Sequence, residues 1–375
     1  MQTFGVRNAE GAGGAGATEA AEALERARRP SGFLARLAPL ASGPCVHVGI
    51  DENGLGPVLG PLVVTGVAFR FAGARPTSLG ALVGDSKALV SHGDVSLGEA
   101  WARALLGAIG PAPKNPAEII ERVSIDDAST LRAPCPKSDD VEVDHRPSSM
   151  CWPAVAESFA ADEALVDKCA RALRSWSGEA TPGRFVRKTK MECVGVRSQL
   201  VCPSRLNEAA SRGRHRFLVD LHAMETIAVE LHAAGAREFD DASRPPLDAV
   251  CGKVGGMDYY GDYFGPLAGH LRAIEAESGL ASAYRFPHLG RLTFLQDADA
   301  ADPLVGLASI VGKYLRELLM GRVVRYMRAS LTPDTSSGVE LPDASGYRDP
   351  STKRFIAATE LVRAHRGIPD RCFLR

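Results

Sequence analysis

The apolar run of residues 46–50 carries two adjacent acids, Asp51 and Glu52, directly into a glycine-rich turn, Asn53-Gly54-Leu55-Gly56-Pro57-Val58-Leu59-Gly60-Pro61. A second apolar run, residues 62–69, leaves that turn. Two such runs around a Gly/Pro turn read as paired, buried strands. Neighbouring side chains on a strand point to opposite faces, so Asp51 and Glu52 cannot both project from one regular face. One of them is expected where the strand ends and the chain bends, which the glycines permit. Two carboxylates at such an end fit a hard divalent cation, which takes carboxylate oxygen. The same residues also describe a solvated hairpin mouth, and local sequence does not separate the two.

The rest of the chain alternates helix and strand, which predicts an α/β fold. Residues 97–109 are apolar at Leu97, Trp101, Leu105 and Ile109, a helical repeat. Residues 217–232 form an amphipathic helix through Phe217, Leu221, Met224, Ile227, Ala228 and Leu231, with Gly235 as its stop. A long helix is expected over 304–327 and a last one over 352–365, behind Pro350. Strands are expected at 191–201, 247–251 and 291–295, and residues 259–278 read as a loop followed by a helix.

Residues 111–190 break this rhythm. Pro111, Pro113, Pro116, Pro134, Pro136, Pro147, Pro153 and Pro182 punctuate them, with one helix expected at 154–176. They are read as an insertion, a separate lobe or long excursion outside the central sheet. Residues 1–42, rich in Gly and Ala, read as a flexible extension with a short helix at 17–29. The core domain is then 43–110 with 191–330, followed by a C-terminal helical segment, 331–375.

The 44 basic and 45 acidic side chains of the 375 residues nearly cancel, which argues against a generic polyelectrolyte binder but leaves room for a local basic groove. Arg184, Arg187, Lys188 and Lys190, then Arg212, Arg214 and Arg216, then Arg322, Arg325 and Arg328 are candidate pieces of such a phosphate track. No apolar run approaches the length of a membrane span, so no membrane partner is expected and a cytoplasmic location is the default. The eight cysteines include no Cys-x-x-Cys pair, so they read as reduced thiols. A zinc site from Cys135, His145 and Cys151 has no support in their spacing.

Five segments, in order, resemble type 2 ribonucleases H (RNase HII). Asp51-Glu52-Asn53-Gly54-Leu55-Gly56-Pro57 resembles the D-E-A-G-R-G-P signature, and Gly84-Asp85-Ser86-Lys87-Ala88-Leu89 looks like D-S-K-K-L. Arg205-Leu206-Asn207 looks like the L-N-x helix region, Ala308-Ser309-Ile310-Val311-Gly312-Lys313 like A-S-I-V-A-K, and Gly346-Tyr347 sits where G-Y-G-T is expected. The resemblance covers about residues 45–110 and 195–375 and looks closer to a divergent bacterial branch.

The resemblance implies a ribonuclease H-like mixed sheet flanked by helices, and Mg²⁺- or Mn²⁺-dependent hydrolysis of RNA by a monomer. The substrate would be an RNA/DNA hybrid or a ribonucleotide-containing DNA duplex. It implies that Asp51 and Glu52 hold the metal, with Glu317 as the carboxylate following the A-S-I-V-A-K segment. It also implies that Gly54, Leu55, Gly56, Lys87, Ser309, Lys313 and Tyr347 contact nucleic acid.

Two positions depart from the pattern. Gly252 stands where the strand-end aspartate of V-L-V-D-G is expected, leaving Asp248, Asp258 and Asp299 as candidate replacements. Leu55 stands in place of the arginine of G-R-G and cannot hydrogen-bond a phosphate. Both departures keep a second reading open, a catalytically impaired relative that binds hybrid or structured nucleic acid. A kinase-like phosphate loop at residues 49–60 is disfavoured, because no Gly-Lys-Ser/Thr follows.

Overall fold

The computed structural model describes residues 29–90, 93–126, 152–154, 157–177, 190–331 and 341–375. Strand β1 (Pro44–Asn53) and β2 (Leu62–Ala72) form the expected antiparallel hairpin. β3 (Glu192–Val201) pairs antiparallel with β2. β4 (Leu247–Gly252) pairs parallel with β1 on its other side. β5 (Ala273–Glu277), β6 (Ala281–Phe286) and β7 (Gly290–Leu295) complete a seven-stranded mixed sheet in the order β3-β2-β1-β4-β7-β6-β5. The α/β architecture, a mixed sheet flanked by helices, is therefore as expected.

One element differs. Residues 273–277, Ala-Ile-Glu-Ala-Glu, have helix-favouring composition but form the edge strand β5, paired with β6. Cross-strand pairing outweighs a weak local preference here.

Helices cover both faces. In chain order they are α1 (Pro30–Arg36), α2 (Ser86–Leu89), α3 (Ser96–Ala108), α4 (Pro116–Val123), α5 (Glu163–Trp176) and α6 (Pro203–Ser211). They continue with α7 (Arg216–Gly235), α8 (Ala298–Ala301), α9 (Pro303–Ala329), α10 (Pro350–Ala358), α11 (Glu360–His365) and α12 (Asp370–Phe373). The even-numbered residues Val46, Val48 and Ile50 of β1 meet Leu221, Met224 and Ile227 of α7 in one core layer. On the opposite face Val63, Val67 and Phe69 of β2 meet Trp101 of α3 and Leu307, Ile310 and Val311 of α9. Gly49 lets α9 lie directly on β1, since a Cβ there would collide with the Leu304 carbonyl carbon.

The start of α9 is held by several groups at once. Asp302 caps it, accepting from the Leu304 and Val305 amides at 3.0 and 3.1 Å, and Pro303 fills the first helical position. Arg75 grips the same carboxylate with Nε at 2.5 Å and Nη2 at 3.0 Å, and donates to the Asp248 and Val48 carbonyls. One guanidinium thus fixes α9 against both β1 and β4.

Other expectations need correction. The 1–42 extension is ordered from Pro30 to Arg36, where Phe33 and Leu34 pack on a small core patch; the helix expected at 17–29 lies, but for Arg29, outside the described residues. The 111–190 segment adds no strand to the sheet among the described residues, but its described helices are no separate lobe. Ile119, Ile120 and Val123 of α4 and Cys169, Leu173 and Trp176 of α5 belong to the core layer under α9. The last helix is divided at Thr359 into α10 and α11.

Candidate active site

Asp51 and Glu52 lie inside β1, paired with Thr65 and Val64 of β2, so they leave the strand on opposite faces. Neither sits in the turn. They converge because β4 ends beside them. Gly252 is the last residue of β4, and a Cβ there would lie 2.9 Å from Asp51 Oδ1 and 3.3 Å from Glu52 Oε2. Both carboxylates bend around a strand end that carries no side chain.

They open into a cleft of about 610 Å³, also lined by Gly54, Leu55, Gly56, Gly252, Asp258, Asp299, Ser309, Lys313 and Tyr347. Asp299, on the short helix α8, accepts from Ser86 Oγ at 3.2 Å, and Ser309 Oγ donates to Ser86 Oγ at 2.8 Å. Ser309 also lies within hydrogen-bonding reach of Asp51, so its one hydroxyl proton is shared between Ser86 and that carboxyl. The two serines therefore position the acids of the α9 face. Asp297, at the head of α8, adopts φ 47°, uncommon for a non-glycine residue, and lines the same cleft. Such backbone concentrates at functional sites.

The acids are only partly compensated, with Lys313 the cation that acts on Asp51. Burial pushes the Asp51 carboxyl up to about 7, and Asp299 adds to this, against the Ser309 hydrogen bond and Lys313. Glu52 is pushed well above its ordinary value by burial, then by Asp220 and Asp51. Asp220, on α7, is fully buried and raised by burial and by Asp51, and neither of its oxygens has a hydrogen-bond partner. Its sequence context gave no warning, since it sits on a helix whose pattern speaks only of core.

Three candidate ligands are engaged elsewhere. Asp248 lies at the opposite end of β4, held by His47 Nδ1 at 3.2 Å and Arg291 Nη2 at 3.0 Å, with Arg75 at 3.7 Å. Burial alone would raise its carboxyl, but His47, Arg75 and Arg291 hold it well below the usual range. Asp258 borders the cleft, yet Lys253 Nζ sits 2.5 Å from its Oδ1 and ties it to the Ser278 carbonyl. Glu317 does not reach the cleft. It contacts Arg316 Nη1 at 3.0 Å and lines another groove with Glu99, Arg325 and Arg328. Eight helical residues separate it from Ser309, about 12 Å of rise.

The turn after β1 is braced from behind. Gly54 has φ 95°, and a Cβ there would meet the Pro61 carbonyl at 2.7 Å and Arg316 Nε at 2.8 Å. The Arg375 guanidinium donates to the Gly54 carbonyl and, at 2.7 Å, to that of Gly60. Burial, with Arg316 and Arg216 nearby, lowers the Arg375 guanidinium to about 9. Tyr347, 48% exposed, faces the cleft with the Arg316 guanidinium 4.9 Å from its ring centre. Asn207, of the third matched segment, donates instead to the Arg371 and Leu374 carbonyls and anchors the last helix.

The basic clusters divide. Arg322 is buried against Glu157, and Arg325 and Arg328 pair with Glu157 and Asp343, so that cluster is scaffold. Arg205, Arg212, Arg214 and His222 line a separate groove of about 370 Å³, where Arg212 meets Glu208 at 2.7 Å. Arg184, Arg187 and Lys188, the cysteine and histidine set Cys135, His145 and Cys151, and the Lys87 side chain lie outside the described residues.

Among the described residues, no three His, Cys, Asp or Glu side chains stand close enough to share one ion. The donors at the cleft nonetheless fit Mg²⁺ or Mn²⁺ in kind, being carboxylate oxygens crowded together so that burial and mutual repulsion raise Asp51 and Glu52 despite Lys313. No helix of the described residues is long and apolar enough to cross a membrane.

No protein-family model and no curated protein matches the sequence. Among solved structures the chain is similar to Bst-RNase HIII in complex with Mn²⁺, at 14% identity and TM-score 0.36, over 90% of this chain and 74% of that one. It is also similar to RNase HII of the PCNA:RNase HII complex from Archaeoglobus fulgidus, at 18% identity and TM-score 0.33, over 88% and 93% of the two chains. A third is ribonuclease H2 from Pyrococcus horikoshii OT3, at 14% identity and TM-score 0.34, over 88% and 92%.

Proposed function

We propose that the chain is a Mg²⁺- or Mn²⁺-dependent endonuclease that hydrolyses RNA within an RNA/DNA hybrid. The observation that carries this reading is one cleft lined by Asp51, Glu52 and Asp299 together with Gly54, Leu55, Gly56, Lys313 and Tyr347. Acids that would hold a metal and groups that would hold a nucleic acid share a single space.

The chemistry that such a metal supplies when bound is Lewis acidity at the phosphodiester and a lowered pKa for water. Asp51, Glu52 and Asp299 are the residues that would hold it. Ser309 and Ser86 keep Asp51 and Asp299 oriented, which limits rearrangement when charge enters the cleft. The turn around Gly54 and Gly56 brings backbone to the cleft wall with no side chain at those two positions. Tyr347 offers an exposed ring for a sugar or base, a sequence-tolerant contact. Lys313 supplies positive charge at the floor, suited to a phosphate.

The bare end of β4 favours the second reading, a hybrid-binding relative with little or no hydrolysis. One experiment separates them. A labelled RNA/DNA hybrid is incubated with the wild type and with Asp51→Asn at fixed salt, with Mg²⁺ or Mn²⁺. The endonuclease reading expects cleavage by the wild type and none by Asp51→Asn, with binding retained in both. Tight binding without cleavage under either metal identifies a binding protein instead, and full activity in Asp51→Asn removes the site.

A further inference from the structure

Four carboxylates surround the ends of β1 and β4, and they divide by face. Asp51 shares the α9 face with Asp299 and Ser309. Glu52 follows Ile50 onto the α7 face, where Asp220 is its foremost charged neighbour. Asp220 is 0% exposed, and both of its oxygens are without a hydrogen-bond partner. A carboxylate in that position normally carries partners, because losing water without replacement costs several kcal/mol. The acids at the other end of β4 obey this rule, with Asp248 answered by His47 and Arg291. Asp220 has acids as its neighbours instead.

From this arrangement, and resting on the metal reading of the cleft, we infer that Asp220 joins Asp51, Glu52 and Asp299 as a fourth carboxylate of the divalent-cation site, the acids drawing together to share the ion only when it enters. It approaches from α7 and replaces the donor that Gly252 does not provide. The resemblance to ribonucleases H placed that donor on β4. Here the strand end is bare and leaves Asp51 and Glu52 room to close over it. A carboxylate on the adjoining helix restores the negative charge from behind Glu52. In the absence of metal, a buried acid without partners there works against folding, a cost that a bound cation would offset.

The test is Mn²⁺ binding by the full chain, followed by calorimetry and by electron paramagnetic resonance of free Mn²⁺. Wild type, Asp220→Asn, Asp220→Leu, Asp51→Asn and the double variant Asp220→Asn with Gly252→Asp are compared. Asp220→Asn and Asp220→Leu are expected to bind Mn²⁺ roughly 10- to 100-fold more weakly than wild type, the range seen for lost supporting groups. The double variant is expected to regain affinity, because a carboxylate returns at the end of β4. Thermal melts in EDTA check the fold, and both Asp220 variants are expected to melt at or above the wild-type temperature.

Unchanged Mn²⁺ affinity in Asp220→Asn and Asp220→Leu overturns the inference and leaves Asp220 a buried neutral acid. So does a wild type that binds no Mn²⁺. Collapse of both Asp220 variants in EDTA also overturns it, since Asp220 would then be needed for folding without metal. A wild type that binds Mn²⁺ through Asp220 yet cuts no hybrid keeps this inference and refutes the endonuclease.

Discussion

The two ends of the β1–β4 pair carry buried acids in opposite circumstances. At the start of the strands, Asp248 is enclosed by His47, Arg75 and Arg291, and Asp302 is gripped by Arg75 while capping α9. At the far end, Asp51, Glu52 and Asp220 crowd one another, with Lys313 the one cation acting on Asp51 among its leading influences. The same strands, the same burial and the same residue type thus give a lowered carboxyl at one end and raised ones at the other. Compensated charge is scaffold. Charge that is left largely uncompensated is what a bound cation would answer, and it is there that we propose the site.

The strongest way to break this contrast is to remove one charge from each end. Asp51→Asn is expected to lower hybrid cleavage by at least about 100-fold, by analogy with other groups that stabilise developing charge. Its melting temperature in EDTA should rise, because repulsion with Glu52 and Asp299 is relieved. Asp248→Asn is expected to do the reverse. Leaving Arg291 buried without its close carboxylate, while Arg75 keeps Asp302, should cost about 3–5 kcal/mol of stability. Urea unfolding measures it, and Mn²⁺ affinity should be unchanged. A destabilised Asp51→Asn with a stable Asp248→Asn would invert the picture.

Gly252→Asp sharpens the contrast at the strand end itself. Its Cβ would press on Asp51 Oδ1 at 2.9 Å, so Asp51 must shift slightly to admit it. With that shift, the new carboxylate is expected to raise Mn²⁺ affinity and cleavage roughly tenfold. A slower enzyme with weaker Mn²⁺ binding would mean that the bare glycine is itself required.

The smallest effect is a pH signature in opposite directions. Asp51 ionises near 7 in the folded chain against an ordinary 3.8, so folding favours its protonated form. That contribution is present below about 3.8 and is lost as pH rises toward 7. Asp248 is held below its ordinary 3.8, so its contribution is present above that value and lost as pH falls further. Thermal melts in EDTA should therefore decline between pH 4 and 7 in the wild type and less in Asp51→Asn. Mn²⁺ should reverse the decline, since it stabilises the ionised acids. A flat profile without metal would show that the strand-end acids are compensated after all.

Much of this was legible in local pattern. The apolar runs gave β1 and β2, helical periodicity gave α3, α7 and α9, and Asp51 and Glu52 stood out at a strand end beside glycines. Each of those signals lies within a few neighbouring residues, where strand alternation and helical repeat act. What sequence could not assign was which distant acids complete the site. Glu317 read as the carboxylate following the A-S-I-V-A-K segment, and Asp248, Asp258 and Asp299 as alternative replacements for the strand-end aspartate missing at Gly252. Only tertiary structure tied Asp248 to His47 and Arg291, tied Asp258 to Lys253, carried Glu317 about one turn past Lys313 and out of the cleft, and brought Asp299 to its wall. Asp220 was hidden altogether, because a helix pattern reports which face is buried and not what it is buried against. Charge partners are set by strand register and helix docking between segments more than two hundred residues apart, as Arg75 and Asp302 are. Whether a buried acid is a brace or a site depends on those partners alone.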